Sequence, residues 1–455
     1  MSAVAEEVDV VVIGMGPGGE DVAARLAGAG LSVVGVESRL VGGECPYYAC
    51  VPTKMMVRAA DALGEARRVP ALAGQAEVRA DWTPVADRIR DEATTDWDDT
   101  AAVQRFERTG GRLVRGTGRI TAPGEVTVGD QVFRARRGIV LNPGTEPAVP
   151  PIDGLAGSPL WTNRDAVPVR EVPESLLVLG GGPVGLEFAQ VFARFGTSVA
   201  VLEAAPRLLP AMEPEASEVI TEALLAEGVQ VRTGGGVQHV KHDGQFEVQL
   251  AGGDRLTAEH LLVATGRRTD LQALGVSAVG LDDQARTIPV DERMRAADGV
   301  WAIGDVTGRG AFTHTSVYQA RIAAADILGQ DGEVADYRAM PAVVFTDPEV
   351  ATVGLTESRA RDAGVEVSTG TTRVQESARG WIHGVGGTGV VKLVADVRRG
   401  VLVGATVVAP GGGEVLGALA VAVHAEVPIT RLREMIFAYP TFHRAIETAL
   451  GDLDV

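Results

Sequence analysis

The only two cysteines of the chain, Cys45 and Cys50, stand five positions apart in the run Gly42-Gly43-Glu44-Cys45-Pro46-Tyr47-Tyr48-Ala49-Cys50-Val51-Pro52-Thr53-Lys54. Four intervening residues, one of them a proline, let the chain bend back far enough for the two sulfurs to bond. Such a pair stores two electrons by opening and closing a disulfide. Pro52 suits the first turn of a helix that begins near Cys50. A helix N-terminus and a nearby ammonium, that of Lys54, both favour a thiolate at Cys50. Read alone, Lys54 also fits an ordinary helix-surface position.

The elements that must position these sulfurs show an internal repeat. The first copy is an apolar run over residues 8–13, then Gly14-Met15-Gly16-Pro17-Gly18-Gly19, a helical stretch to about residue 30, and a second strand ending in Glu37. The second copy is the run 176–179, then Gly180-Gly181-Gly182-Pro183-Val184-Gly185, a helix to about residue 196, and a strand ending in Glu203. In both, the acid lies 23 positions after the first glycine. One such glycine pattern is weak evidence, but two in matching strand–helix contexts define two dinucleotide sites. Gly14, Gly16 and Gly19, and likewise Gly180, Gly182 and Gly185, permit a tight turn whose amides face a pyrophosphate at a helix N-terminus. Glu37 and Glu203 can accept the hydroxyls of an adenosine ribose. Glu203 repels a 2′-phosphate, which favours NADH over NADPH, although Arg207 lies four residues on and could reach one.

At 455 residues the chain has room for roughly two to four domains. A formal charge of −18 and a pI near 4.9 disfavour nucleic acid as a partner. No apolar run is long enough to span a bilayer, and the acidic N-terminus is unlike a signal peptide. A cytoplasmic location is expected, where an exposed cysteine pair is more often catalytic than structural. No metal-ligand cluster with plausible spacing is present. Further along, Ile139-Val140-Leu141-Asn142-Pro143-Gly144-Thr145 and Leu261-Leu262-Val263-Ala264-Thr265-Gly266-Arg267-Arg268 read as strands with similar endings, and Val300-Trp301-Ala302-Ile303-Gly304-Asp305 reads as a strand ending in an acid. From Pro341 on, strands near 389–395 and 402–408 precede helices near 414–425 and 431–435, a separate α+β domain.

Across essentially its whole length the chain resembles the flavoprotein disulfide reductases that bind two dinucleotides, such as dihydrolipoamide dehydrogenase, glutathione reductase and mercuric reductase. The motifs occur in the family's order: first glycine loop, Cys-x4-Cys-x-Pro-Thr-Lys, second glycine loop, Ala264-Thr265-Gly266-Arg267-Arg268, Ala302-Ile303-Gly304-Asp305, and Phe345-Thr346-Asp347-Pro348-Glu349. The resemblance implies an α/β fold with two Rossmann-like domains and a C-terminal α+β dimerisation domain. It divides the chain into an FAD domain over 1–150 and 271–338, an NAD(H) domain over 151–270, and an interface domain over 339–455. FAD and NAD(H), with NADP(H) less favoured, are the implied cofactors. A homodimer that shares its active site across subunits and a small-molecule electron acceptor are the implied partners. By the same resemblance, Cys50 donates charge to the flavin and Cys45 exchanges with substrate. Lys54 lies near flavin N5 and pairs with Glu187, Asp305 accepts a ribityl hydroxyl, and Gly144, Gly266 and His314 line the cofactors.

The chain departs from its relatives near the C-terminus. Disulfide-exchanging members carry His-Pro-Thr with a glutamate five residues after the histidine; here Tyr439-Pro440-Thr441 and Arg444 occupy those positions. A phenol, with a reference pKa near 10, is a poor base at neutral pH. Either His443, oriented by Glu447 one helical turn later, replaces the base, or the two are a solvated pair and Tyr439 lines the site as a donor. In the latter case the acceptor needs less proton management, as a quinone, a metal ion or a reactive small molecule does. Pro46, Tyr47 and Tyr48 replace smaller polar residues and either narrow the sulfur pocket or pack beneath it. Two further readings remain: a flavin-centred quinone or metal reductase with dispensable cysteines, and a redox-sensing dimer with little turnover.

Overall fold

The computed structural model describes residues 5–455. The chain forms two compact units, one comprising the segment up to Pro52 with Asp87–Ala148 and Arg267–Asp336, the other Thr53–Ala86, Val149–Gly266 and Tyr337–Val455. The architecture is the expected mixed α/β one.

In the first unit an eight-stranded sheet has the central order Arg295–Ala297, Val300–Ala302, Gln131–Leu141, Glu6–Ile13, Val33–Glu37, Arg112–Arg115. Glu6–Ile13 pairs in parallel with both neighbours, Ile13 standing between Val36 and Leu141. Val10, Val11 and Val12 are fully buried, as the continuous apolar run of a parallel strand covered on both faces requires. The hairpin Gly118–Ala122 and Glu125–Val128 extends from Gln131–Leu141. The helix Pro17–Gly28 packs by its buried Val22, Ala23 and Leu26. Asp305 does not end the strand Val300–Ala302; it sits in a following 3-10 turn, Gly304–Thr307.

The second unit carries a four-stranded parallel sheet in the order Gln230–Thr233, Ser198–Glu203, Ser175–Leu179, His260–Val263. The helix Pro183–Arg194 follows Ser175–Leu179 and buries Leu186, Phe188 and Phe192. Its C-terminal part of the chain forms a five-stranded antiparallel sheet, Pro341–Val344, Glu349–Gly354, Val401–Ala409, Val390–Asp396, Val367–Arg373. Leu393, Val407, Leu416, Leu419 and Ala449 share one core there, contributed by sheet and helices. The observed elements Val390–Asp396, Val401–Ala409, Gly412–His424 and Ile429–Arg433 sit within two residues or so of their expected positions. One local expectation differs. The helix Ala445–Gly451 starts after His443, which lies in a separate 3-10 turn, Phe442–Arg444.

Candidate active site

In the first unit the glycine loop is shaped by its neighbours. Gly14 has φ +92°, and a Cβ there would lie 2.1 Å from the Asn142 carbonyl oxygen, so no other residue fits. The Asn142 side chain reaches back, Nδ2 donating to the Gly14 carbonyl at 3.2 Å while Oδ1 accepts from Ser316 Oγ at 3.2 Å. Gly16 caps the helix Pro17–Gly28, and Gly19 allows close approach of the Gly14 carbonyl. Buried Glu37 accepts the Met15 amide at 2.9 Å on Oε2 and the Arg39 amide at 2.8 Å on Oε1. Each carboxylate oxygen keeps a lone pair for a hydroxyl. Nothing lies within 4 Å of a Cβ placed on Gly144. The glycine turn at the helix N-terminus and the retained acceptor capacity of Glu37 fit a dinucleotide. Asp305 accepts from Thr145 Oγ1 at 2.7 Å, and that oxygen accepts from Arg267 Nε at 2.7 Å. Arg267 also faces Glu44, the residue before Cys45, at 3.4 Å.

The sulfurs belong to the same unit. Cys45 lies in the short helix Glu44–Tyr47 and Cys50 heads the helix Cys50–Leu72; both are half-buried. The Cys50 Sγ is 3.5 Å from Thr313 Oγ1, and Thr313 is the first residue of the helix Thr313–Ile327. Cys50 thus stands at two helix N-termini, each of which favours a thiolate. His314 is next along that helix and stacks on Phe312 with centroids 5.0 Å apart. The two tyrosines between the cysteines separate in role. Tyr47 is buried, its hydroxyl donates to the Val41 carbonyl at 3.2 Å, and burial pushes its pKa up to about 12. Tyr48 is half-buried, with its ring centroid 6.3 Å from that of Trp97.

In the second unit Lys54 Nζ meets Glu187 Oε2 at 2.6 Å, and the other carboxylate oxygen accepts the Phe345 amide at 2.9 Å. The ammonium also sits 4.7 Å from the Phe345 ring centroid. Glu187 is buried, so this ion pair is a built feature and Lys54 is no ordinary surface lysine. The second loop repeats the first: Gly180 has φ +117° with a Cβ position 2.4 Å from the Ala264 carbonyl oxygen, and Gly182 caps Pro183–Arg194. Gly185 would set a Cβ 2.1 Å from the Gly180 carbonyl oxygen. Glu203 accepts the Gly181 amide at 2.6 Å and the Ala205 amide at 2.7 Å. Gly266, at φ +123°, has open space where a Cβ would stand. The Arg207 guanidinium donates to the carbonyls of Leu209, Pro210 and Met212 at 3.0, 2.9 and 2.7 Å.

Near the C-terminus Tyr439 is 69% exposed, with the Arg444 guanidinium 5.4 Å from its ring centroid. Glu447 engages Arg444 at 3.0 Å, while His443 sits 5.9 Å from the Phe437 ring. The structure therefore does not bring His443 and Glu447 together as a pair. Trp381, Val421 and Ile436 in the same unit are exposed large apolar side chains, at 79%, 64% and 98% exposure. Among the described residues no helix is long and apolar enough to cross a membrane.

Two nucleotide loops, a cysteine pair at the head of a helix and a C-terminal α+β layer define a pyridine-nucleotide-linked flavoprotein oxidoreductase. Residues 8–320 match the family model for pyridine nucleotide-disulphide oxidoreductases and residues 340–450 match that family's dimerisation domain. The chain belongs to this family, whose members are FAD-dependent and use pyridine nucleotides. It is 33% identical over 454 residues to a dihydrolipoyl dehydrogenase of Thermus scotoductus, covering 97% of this chain and 96% of that one. It is also 33% identical over 454 residues to a mercuric reductase of Acidithiobacillus ferrooxidans, covering 98% and 82%. The solved Cu(II) complex of the HOCl-induced flavoprotein disulfide reductase RclA from Escherichia coli superposes with a TM-score of 0.84 at 26% identity, covering 98% and 99%.

Sequence reasoning did not single out Asn142, Thr145, Arg267 or Thr313 as working residues. Signals were present, because all four lie inside or beside the motif strands and the Phe312–His314 stretch.

Proposed function

We propose that the protein takes electrons from NADH and passes them to a small-molecule acceptor by way of Cys45 and Cys50, as a homodimer. The observation that carries this reading is Cys50 Sγ within 3.5 Å of Thr313 at a second helix N-terminus, in the same unit as the first glycine loop. FAD, when bound, supplies the two-electron carrier between nicotinamide and sulfur. Gly14, Gly16 and Gly19 with Glu37 would hold its adenosine half, and Asp305, oriented by Thr145, would accept from its ribityl chain. Gly180, Gly182 and Gly185 with Glu203 hold the nicotinamide dinucleotide. Glu203 accepts ribose hydroxyls, and Arg207, spent on three backbone carbonyls, is not poised for a 2′-phosphate; both support NADH.

Opening the Cys45–Cys50 disulfide takes up two electrons and one proton and leaves a thiolate and a thiol. Cys50, at the two helix ends, is the one held as thiolate, and Cys45 takes the proton or attacks the acceptor. Lys54, fixed by buried Glu187, holds positive charge one helical turn from Cys50. The partner subunit completes the site through its C-terminal segment, Tyr439 standing where relatives carry a base. That substitution favours acceptors that need little proton management, such as quinones or metal ions; the Cu(II) complex of RclA adds copper to those worth screening.

Anaerobic titration with NADH tests the reading. Prompt bleaching of the flavin followed by a long-wavelength charge-transfer band is expected, and the band is lost in Cys50→Ser. An unchanged band in that variant removes Cys50 from its role. A Cys45→Ser, Cys50→Ser double variant that reduces quinone at full rate moves the chemistry off the sulfurs.

A further inference from the structure

One short segment beside the cysteines carries two unfavourable features at once. After the π-helical turn Ile89–Ala93, Thr95, Asp96 and Trp97 hold φ of +50°, +55° and +57°. Three successive non-glycine residues in the left-handed region each crowd their Cβ against the following carbonyl. The indole Nε1 of Trp97 is buried without a hydrogen-bond partner among the described residues. Features of this kind persist only where the surroundings over-determine them, and they concentrate at functional sites.

The surroundings are identifiable. At the near end buried Thr94 donates its hydroxyl to the carbonyls of Ile89 and Arg90 at 3.0 and 3.2 Å, and the Asp96 amide donates to the Arg90 carbonyl at 2.6 Å. At the far end Asp99 Oδ2 accepts the Val41 amide at 2.7 Å and Arg115 Nη2 at 2.8 Å. The segment thereby touches the sulfur loop once, at Tyr48, and the stretch leading into it once, at Val41. Asp99 holds Val41, four residues before Cys45, and Trp97 sets its ring 6.3 Å from Tyr48 at an interplanar angle of 31°. Tyr48 lies between the two cysteines.

We infer that residues 94–99 brace the Cys45–Cys50 loop, with Trp97 as a positioning residue that acts through Tyr48. The inference rests on the reading of Cys45 and Cys50 as the redox pair. Two sulfurs bond only within narrow limits of distance and dihedral angle, so a loop of four residues between them needs an outside support. The indole ring supplies that support by contact, and its N–H is incidental to the task. Misplacing a reacting group by about 1 Å costs about 10² in rate, so removing the ring registers at the sulfurs.

The experiment uses the holoenzyme reduced anaerobically with NADH, and follows alkylation of Cys45 by iodoacetamide by mass spectrometry. In Trp97→Ala the alkylation rate is expected to change about tenfold, within the range set by such misplacement, while flavin bleaching by NADH stays within about twofold. Trp97→Phe keeps an aromatic ring, drops the unpaired N–H, and restores the parent alkylation rate. An unchanged alkylation rate in Trp97→Ala, or equal losses in the Ala and Phe variants, overturns the brace. If Trp97→Ala does not fold, Tyr48→Leu is read in the same assay, and parent-like alkylation there overturns it equally. A band that survives Cys50→Ser strikes at the underlying redox reading instead, so the two failures are distinguishable.

Discussion

The two glycine loops are built on one plan and finished differently. In each, the first glycine turns where a Cβ would strike a carbonyl oxygen, that of Asn142 in one and Ala264 in the other. In each, the acid 23 residues on accepts the amide just after that glycine and the amide two residues beyond itself, Met15 and Arg39 for Glu37, Gly181 and Ala205 for Glu203. The difference lies at the end of the neighbouring strand. Asn142 locks the first loop to Ser316 on the helix Thr313–Ile327, and Gly18 packs so near that a Cβ would meet Ser316 Oγ at 2.1 Å. Ala264 has no polar side chain and offers the second loop only its backbone. Backbone bonds alone are thus enough to shape the motif, and the side-chain lock adds preorganisation, which strengthens binding. Under the proposed assignment, the locked loop holds the resident flavin and the simpler one holds a nicotinamide that must exchange.

The largest expected effect separates the loops outright. Gly14→Ala should give colourless protein that takes up no flavin, whereas Gly180→Ala should stay yellow but bleach with NADH slower by about 10² or more, the scale of a one-ångström misplacement. Visible spectra and stopped-flow reduction read both, and the same defect in each variant breaks the comparison. Next, Asn142→Ala leaves the Gly14 carbonyl and the Ser316 hydroxyl short of a partner, a cost of about 1–3 kcal/mol. Flavin affinity should fall by about tenfold or more at that cost, measured by titrating apoprotein with FAD. Glu203→Gln removes the charge that opposes a 2′-phosphate and should narrow the NADH-over-NADPH ratio of kcat/KM; an unmoved ratio places selectivity elsewhere. The smallest effect concerns the sulfur loop. Tyr47→Phe loses the bond to the Val41 carbonyl, about 1 kcal/mol. The buried Tyr47 hydroxyl ionises at about 12, whereas the unfolded phenol ionises near 10. Its contribution is therefore complete below about pH 10 and fades as pH rises towards 12. Alkaline denaturation of the parent should show that decline, and Tyr47→Phe should lack it.

Much of the candidate site was readable because its logic is local. A glycine that must adopt positive φ, an acid at a strand tip and a cysteine at a helix head are each specified by a few neighbouring residues. Lys54 with Glu187 was reached only through resemblance, since 133 positions separate them; the structure adds Phe345, whose amide fixes the carboxylate. Of the two readings of the C-terminal segment, the one in which Glu447 orients His443 finds no contact to support it, for a nameable reason. Spacing of four places two residues on one face only if a single helix contains both, and here a 3-10 turn intervenes and Arg444 takes the carboxylate.

Taken by itself, then, the order of residues specified two glycine turns at helix starts, an acid at the tip of each following strand and a sulfur pair at a helix start, because each depends on backbone freedom and short-range periodicity. Folding alone decided that Thr313 comes to Cys50 across 263 positions and Ser316 to Asn142 across 174. It also decided that Trp97 stands against Tyr48. Such contacts are set by how strands and helices stack, and hydrogen-bonding types alone leave too many equivalent partners for a linear reading to choose among them.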